Sequence, residues 1–269
     1  MNFCKRLRAP TQAPLRLADV DPDDTLGLTD KQAADEQRQH NVSRLAEYSE
    51  LIWADNRFAP LIILQGMDTA GKDGTIRKVM SGINPRDCRV TNFRPPTPEE
   101  LDHDFLWRVH KACPRRGEIG VFNRSHYEDV VTVRVQELVP RDVWSSRYEH
   151  IKHFEHELSE NGTRIMKFFL HIGKDEQKKR LEARLEDPVK NWKFDPSDLE
   201  QRKRWDQYQQ AYEDAIARCN PDHAPWYIIP ANKKWFRNLA ISSIVVETLE
   251  KLDMRPPKPK FDLSQFTVE

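Results

Sequence analysis

The run Leu61-Ile-Ile-Leu64, followed at once by Gly66-Met-Asp-Thr-Ala-Gly71-Lys72, places the strongest constraint on what this chain can fold into. The apolar run reads as a buried strand, and the glycine-containing turn leads into a helix from about Lys72. Strand, glycine loop and helix in that order form a phosphate-binding loop. A glycine-rich backbone can present successive N–H groups to one anion, where they meet the positive end of the helix dipole. Lys72 adds a point charge for the outer phosphates. Thr69, Ala70, Asp73, Gly74 and Thr75 complete the loop and the first helical turn. In the common ATPase form a Ser or Thr follows the lysine and holds Mg²⁺, whereas here Asp73 stands in that place with Thr75 two residues on. Metal binding must then be redistributed. Asp68 is the nearest carboxylate, because Mg²⁺ takes one or two protein carboxylates and completes its shell with phosphate and water. The alternative for Asp68 is an Asx-type turn residue that bonds its own loop.

Short apolar runs alternate with helical stretches along the rest of the chain. Strands are expected at Cys88 to Asn92, Ile119 to Phe122, Ile165 to Ile172 and Trp226 to Ile229, in addition to the first. With helices between them, and a last one from Asn232 to Leu252, this series predicts an α/β three-layer sandwich with a parallel five-stranded sheet. Thr97-Pro98-Glu99-Glu100 is a helix start, and Thr29 or Asp30 caps a long polar helix through Glu50 or beyond. Residues 1–29 read as an extended arm, residues 30–254 as one domain, and residues 255–269, with Arg255-Pro-Pro-Lys-Pro-Lys260, as an extended tail. A charged insertion at about 174–220 reads as two helices, Asp175 to Glu186 and Pro196 to Arg218. They are expected to project over the carboxyl edge of the sheet as a lid.

In a parallel sheet ligands lie beyond the carboxyl ends of the strands, so Asn123-Arg-Ser-His-Tyr-Glu-Asp129 should face the loop. Arg124 suits bidentate phosphate clamping, and it can stabilise charge on a phosphoryl group in flight. Glu128 and Asp129 are candidate Mg²⁺ ligands or proton acceptors, with a solvated helix-start carboxylate as the plain alternative. His126 is read as structural before it is read as catalytic. In the insertion, Arg180 and Arg184 are four apart and share a helical face, a cationic stripe that can fold onto phosphate. Lys193, within Trp192-Lys-Phe194, is a further candidate phosphate contact or part of a lid hinge.

The charge balance limits how a polyanion could be met. Lys and Arg number 43 and Asp and Glu number 43, so recruitment of nucleic acid or an anionic membrane by bulk charge is not expected. Positive charge must instead be gathered locally. The four cysteines show no CxxC pair or metal-ligand spacing, and they read as reduced thiols of a cytoplasmic protein. The longest apolar run is far too short to cross a bilayer.

The chain resembles the polyphosphate kinase 2 family. The likeness rests on Gly66-Met-Asp-Thr-Ala-Gly-Lys-Asp-Gly74, Phe93-Arg-Pro-Pro-Thr97, Asn123-Arg-Ser-His-Tyr127, Trp192-Lys-Phe194 and Ala224-Pro-Trp-Tyr-Ile-Ile-Pro230. It spans roughly residues 30 to 252. The resemblance implies a thymidylate-kinase-like P-loop fold with a helical lid. It also implies Mg²⁺-dependent, reversible phosphoryl transfer between inorganic polyphosphate and purine nucleotides, with Mn²⁺ as a substitute metal and a homo-oligomer, dimer or tetramer, as the assembly. Asp68 and Lys72 match the family's essential loop residues, Arg124 its arginine after the second phosphate-site strand, and Arg180 and Arg184 its lid arginines. Arg94, within Phe93-Arg-Pro-Pro-Thr97, is placed with the substrate contacts on the same ground. Many relatives read Phe-Asp-Arg-Ser-Trp-Tyr-Asn-Arg where this chain has Asn123 and Glu128-Asp129. An amide cannot replace a metal-binding carboxylate, so the expected metal ligand passes to Glu128. This variant is similar to the branch that accepts AMP, and also ADP, as acceptor. An ATP-dependent nucleotide or small-metabolite kinase is the competing expectation.

Overall fold

The computed structural model describes residues 1–11, 14–189 and 191–267, without the side chains of Lys193 and Ser264. In chain order the elements are α1 (Phe3–Leu7), α2 (Lys31–Asp55), β1 (Ala59–Gln65), α3 (Lys72–Val79), β2 (Cys88–Asn92), α4 (Pro98–Leu101), α5 (Trp107–Ala112) and β3 (Ile119–Asn123). There follow α6 (Thr132–Val135), α7 (Arg141–Glu160), β4 (Thr163–His171), α8 (Lys174–Glu186), α9 (Pro196–Lys203), α10 (Trp205–Arg218), β5 (Trp226–Pro230) and α11 (Lys234–Leu249). The five strands form one parallel sheet, as the alternating pattern predicts, and their order is β2-β3-β1-β4-β5.

Register explains the layers. Ile62 pairs with Val121 on one side and Met166 on the other, so neighbouring strands put matching residues on the same face. Leu61, Ile63, Phe122 and Ile165 form one apolar cluster with Val109 of α5 and Phe154 of α7. Ile62, Leu64, Val121 and Met166 join the larger core with Leu45 and Ile52 of α2 and Ile241 and Val245 of α11. β1 is buried along its whole length, which suits a central strand covered on both faces. Among the described residues no helix is long and apolar enough to cross a membrane.

Two expectations about elements are corrected. The first thirty residues are not merely extended: Phe3, Cys4 and Leu7 of α1 are buried, and the Phe3 and Cys4 amides donate to Glu247 of α11 at 3.0 and 3.1 Å. Behind α1, Arg8 bridges to Tyr227 and the Ala9 amide donates to the Trp226 carbonyl at 2.9 Å. The segment thus covers the open edge of β5, a place where an unpaired backbone would invite other chains. The second helix of the insertion breaks at Arg204, whose guanidinium donates to the Val135 carbonyl at 2.5 Å. Only α8 and α9 remain by the loop. α10 buries Tyr208, Ala211, Tyr212 and Ile216 in the core, with Tyr212 tilted on Phe169 at 4.6 Å.

Candidate active site

The loop between β1 and α3 turns sharply because three of its residues have positive φ: Gly66 at 145°, Thr69 at 63° and Gly71 at 105°. Glycine is required at 71. A Cβ there would come within 1.9 Å of Arg237 Nη1. Arg237 is buried at the start of α11, donates to the Ala70 carbonyl at 2.9 Å and also bonds Asn238. Burial, reinforced by Arg180, pulls its guanidinium down to about 10. Lys72 folds over the loop, with Nζ donating to the Gly66 carbonyl at 2.7 Å and the Met67 carbonyl at 3.3 Å. Burial and then the nearby Arg124 lower its pKa, a cost that a bound anion would offset.

Arg124 meets the loop from the end of β3. It has a left-handed backbone, φ 62°, and its amide is held by the Leu64 carbonyl at 3.0 Å. Its Nη2 donates to Asp68 at 2.7 Å, and Nη1 lies 3.8 Å from Glu128. Glu128 first, then Asp68, raise its pKa. Asn123 donates to Asp73 at 2.6 Å and to Asn92 at 2.8 Å, so this amide ties the loop helix to β2.

These groups line a cavity of about 930 Å³. Asp68, Thr69, Gly71, Lys72, Asp73, Gly74, Arg124, Arg180 and Arg184 all border it, whereas Gly66 and Ala70 do not. Asp198 of α9 closes it from above, with Arg184 Nη1 at 3.1 Å. Burial, then the neighbouring Asp68, push the Asp198 carboxyl up to about 6. Arg180 acts as a staple. Its Nε binds Glu176 at 2.8 Å, Nη1 donates to the Thr69 and Ala70 carbonyls at 2.9 and 3.2 Å, and Nη2 donates to the Ala231 and Asn232 carbonyls, both at 2.8 Å. It joins α8 to the loop and to the end of β5.

Other expected residues stand elsewhere. Glu128 sits behind Arg124, accepting from Thr132 at 2.6 Å, and with the Gln65 amide turned to its better-bonded orientation it accepts from that residue at 3.0 Å. Asp129 points away, with Arg147 at 3.3 Å and Arg108 at 4.0 Å, and burial raises its carboxyl to about 6 against those two arginines. Neither carboxylate borders the cavity. The 3₁₀ turn at His126–Asp129 causes this, because it carries the side chains after Arg124 back towards α6 and α7. Arg94 is exposed on the loop beyond β2 and does not border the cavity, and Thr75 is buried beneath it. The Lys193 side chain lies outside the described residues. Among the described residues no group of three or more His, Cys, Asp or Glu side chains is set to hold a metal.

His126 is structural, as expected. It lies in a fully buried network in which Lys167 Nζ meets Glu155 at 2.5 Å and Tyr127 at 2.9 Å, while His126 Nε2 lies 3.3 Å from Glu155. Arg77, Asp198, Lys234 and Arg237 border the cavity without having been expected there. A signal existed for two of them. Lys234 and Arg237 open a helix whose dipole disfavours cations at that end, so their presence there needs another reason.

Residues 28–257 match the polyphosphate kinase 2 family. The chain is 50% identical over 266 residues to an AMP/ADP-polyphosphate phosphotransferase of Meiothermus ruber, covering 98% of this chain and 100% of that one. It is 48% identical over 229 residues to an ADP-polyphosphate phosphotransferase of Rhodopseudomonas palustris, covering 81% and 79%. The crystal structure of polyphosphate kinase 2 from Arthrobacter aurescens TC1 superposes with a TM-score of 0.94 at 41% identity, covering 98% and 95% of the two chains. A glycine-containing loop between strand and helix, an arginine facing it and this extent of likeness lead to one assignment: the chain belongs to the polyphosphate kinase 2 family.

Proposed function

We propose that this enzyme transfers the terminal phosphoryl group of inorganic polyphosphate to AMP and ADP, reversibly. The observation that carries the reading is the 50% identity to an AMP/ADP-polyphosphate phosphotransferase along 98% of this chain and 100% of that one. The geometry suits it. Loop N–H groups, Lys72 and Arg124 surround one site, and Arg184 and Lys234 extend the positive wall along which a chain of phosphates can lie.

Phosphoryl transfer passes through a loose transition state, so the protein's task is positioning and charge stabilisation. Lys72 and Arg124 hold the phosphoryl oxygens, and α8 and α9 shield the site from water. The acceptor is already an anionic phosphate, so no strong general base is needed. Mg²⁺ fits Asp68 and Asp198: both border the cavity, and their mutual repulsion helps hold Asp198 at about 6. That ion, or Mn²⁺ in its place, would neutralise charge on the phosphates. Glu128 and Asp129 are not needed for it. Arg124 exchanges Asp68 for phosphate as substrate enters.

A homo-oligomer, dimer or tetramer, belongs to the same reading, supported by the exposed Phe261, Leu263 and Phe266 of the tail. Cytoplasmic residence is supported by four free cysteines. The test is the rate of ADP formation from AMP and polyphosphate by wild type and Lys72→Ala. We expect at least a ~100-fold loss with an unchanged circular dichroism spectrum, by the magnitude that removal of one preorganised charge contact costs. Full activity in Lys72→Ala would contradict the assignment.

A further inference from the structure

We infer that the end of the sheet opposite the active site carries a second anion site, centred on Arg115 and Arg116, that holds a distal stretch of long polyphosphate. This rests on polyphosphate being the donor. The strands run towards the catalytic loop, so their amino ends at Ala59, Ile119 and Thr163 lie about 20 Å behind it, at ~3.3 Å per residue along β1. At that end a cavity of about 420 Å³ is lined by Trp53, Ala54, Asn56, Arg115, Arg116 and Pro257. Arg115 and Arg116 are exposed, and neither forms an ion pair among the described residues. The Arg116 Nε donates only to the Asn161 carbonyl, at 3.2 Å.

Two further guanidinium groups stand beside them. Arg57 and Arg164 lie over the same Phe58 ring at 5.1 and 5.4 Å, and Gly162 separates the Arg57 backbone from Arg116. Asp55 binds Arg57 at 2.6 Å, and Glu118 lies 3.5 Å from Arg89 while accepting from the Arg115 amide. Among the described residues the guanidiniums of Arg115, Arg116 and Arg164 form no ion pair. Lys258 and Lys260, just after Pro257, add two exposed cations on the same tail.

In a chain of zero net charge such a surplus is a local feature with a local use. Planar arginine forks suit phosphate oxygens. A nucleic acid would also want an open stacking surface, but one face of Trp53 is taken by the Arg86 guanidinium at 4.5 Å. A donor held here and at the loop binds twice, and the second contact acts through a high effective concentration. Short donors reach only the loop.

The variant Arg115→Glu/Arg116→Glu tests this, with Arg115→Gln/Arg116→Gln as a charge-neutral companion and the melting temperature as a check on folding. We expect KM for long-chain polyphosphate to rise ~10-fold at low salt, by the gain that linked contacts provide, with kcat and KM for short chains unchanged. The Gln pair should show a smaller shift in the same direction. An unchanged KM for long chains overturns the site, as does an equal rise for both lengths. Loss of single-stranded DNA binding equal to the loss of polyphosphate binding overturns the ligand assignment. If the wild type transfers nothing from polyphosphate, the donor reading fails. Direct binding of long chains to wild type and variant then still decides the site.

Discussion

Arg237 occupies the space that any side chain on residue 71 would need: Nη1 stands 1.9 Å from where a Cβ on Gly71 would be built. The loop's tightest turn and the start of α11 are therefore made for each other. Gly71→Ala must shift a buried guanidinium and also hold an L-residue at φ 105°. We expect about 1–3 kcal/mol of destabilisation in urea unfolding and near-complete loss of transfer. A fully stable, active variant would show that the loop is not anchored this way.

Arg180 should control closure more than chemistry. Its donors are spent on Glu176 and on carbonyls of the loop and of the residues after β5. Arg180→Lys cannot reproduce this fork. Hydrogen exchange in α8 and α9 should quicken, and KM for polyphosphate should rise ~10-fold or more by loss of positioning. Unchanged protection in α8 would contradict the staple.

The pair Lys167–Glu155 lies wholly inside the fold and supports the turn that carries Arg124. Lys167→Met leaves a buried carboxylate uncompensated and should cost about 3–5 kcal/mol in unfolding free energy. Adding Glu155→Gln should recover part of that loss. A double variant no more stable than the single would argue against an ionised pair.

Asp198 predicts a pH dependence of definite sign. Burial pushes its carboxyl up to about 6 in the fold from 3.8 when free, so the fold favours the neutral form. The resulting stabilisation is complete below about pH 4 and is lost as pH rises through about 6. Asp198→Asn should therefore gain melting temperature relative to wild type as pH is raised from about 5 to about 8. Mg²⁺ should stabilise the wild type at the higher pH and much less at the lower, where Asp198 is protonated. A difference independent of pH would remove Asp198 from the metal site.

The parallel sheet, the loop with Lys72, and Arg124 at the end of β3 were legible because local patterns encode them. Asp198 was not, since it reaches the cavity only through the packing of α9, and Arg237 left only the sign of a cation at a helix start. Glu128 and Asp129 misled for a related reason: adjacency to Arg124 in sequence says nothing of the 3₁₀ turn that carries them away from the cavity. The docked α1 was hidden by the prolines that follow it. Its spacing of Phe3 and Leu7 by four residues was the available sign.

The most direct measurement of the central claim is a paired-donor assay with AMP and Mg²⁺, supplying either polyphosphate or ATP. We predict ADP and then ATP from the polyphosphate reaction, and a far lower rate of AMP phosphorylation when ATP is the donor. ADP formation with ATP alone, and none with polyphosphate, would contradict the account.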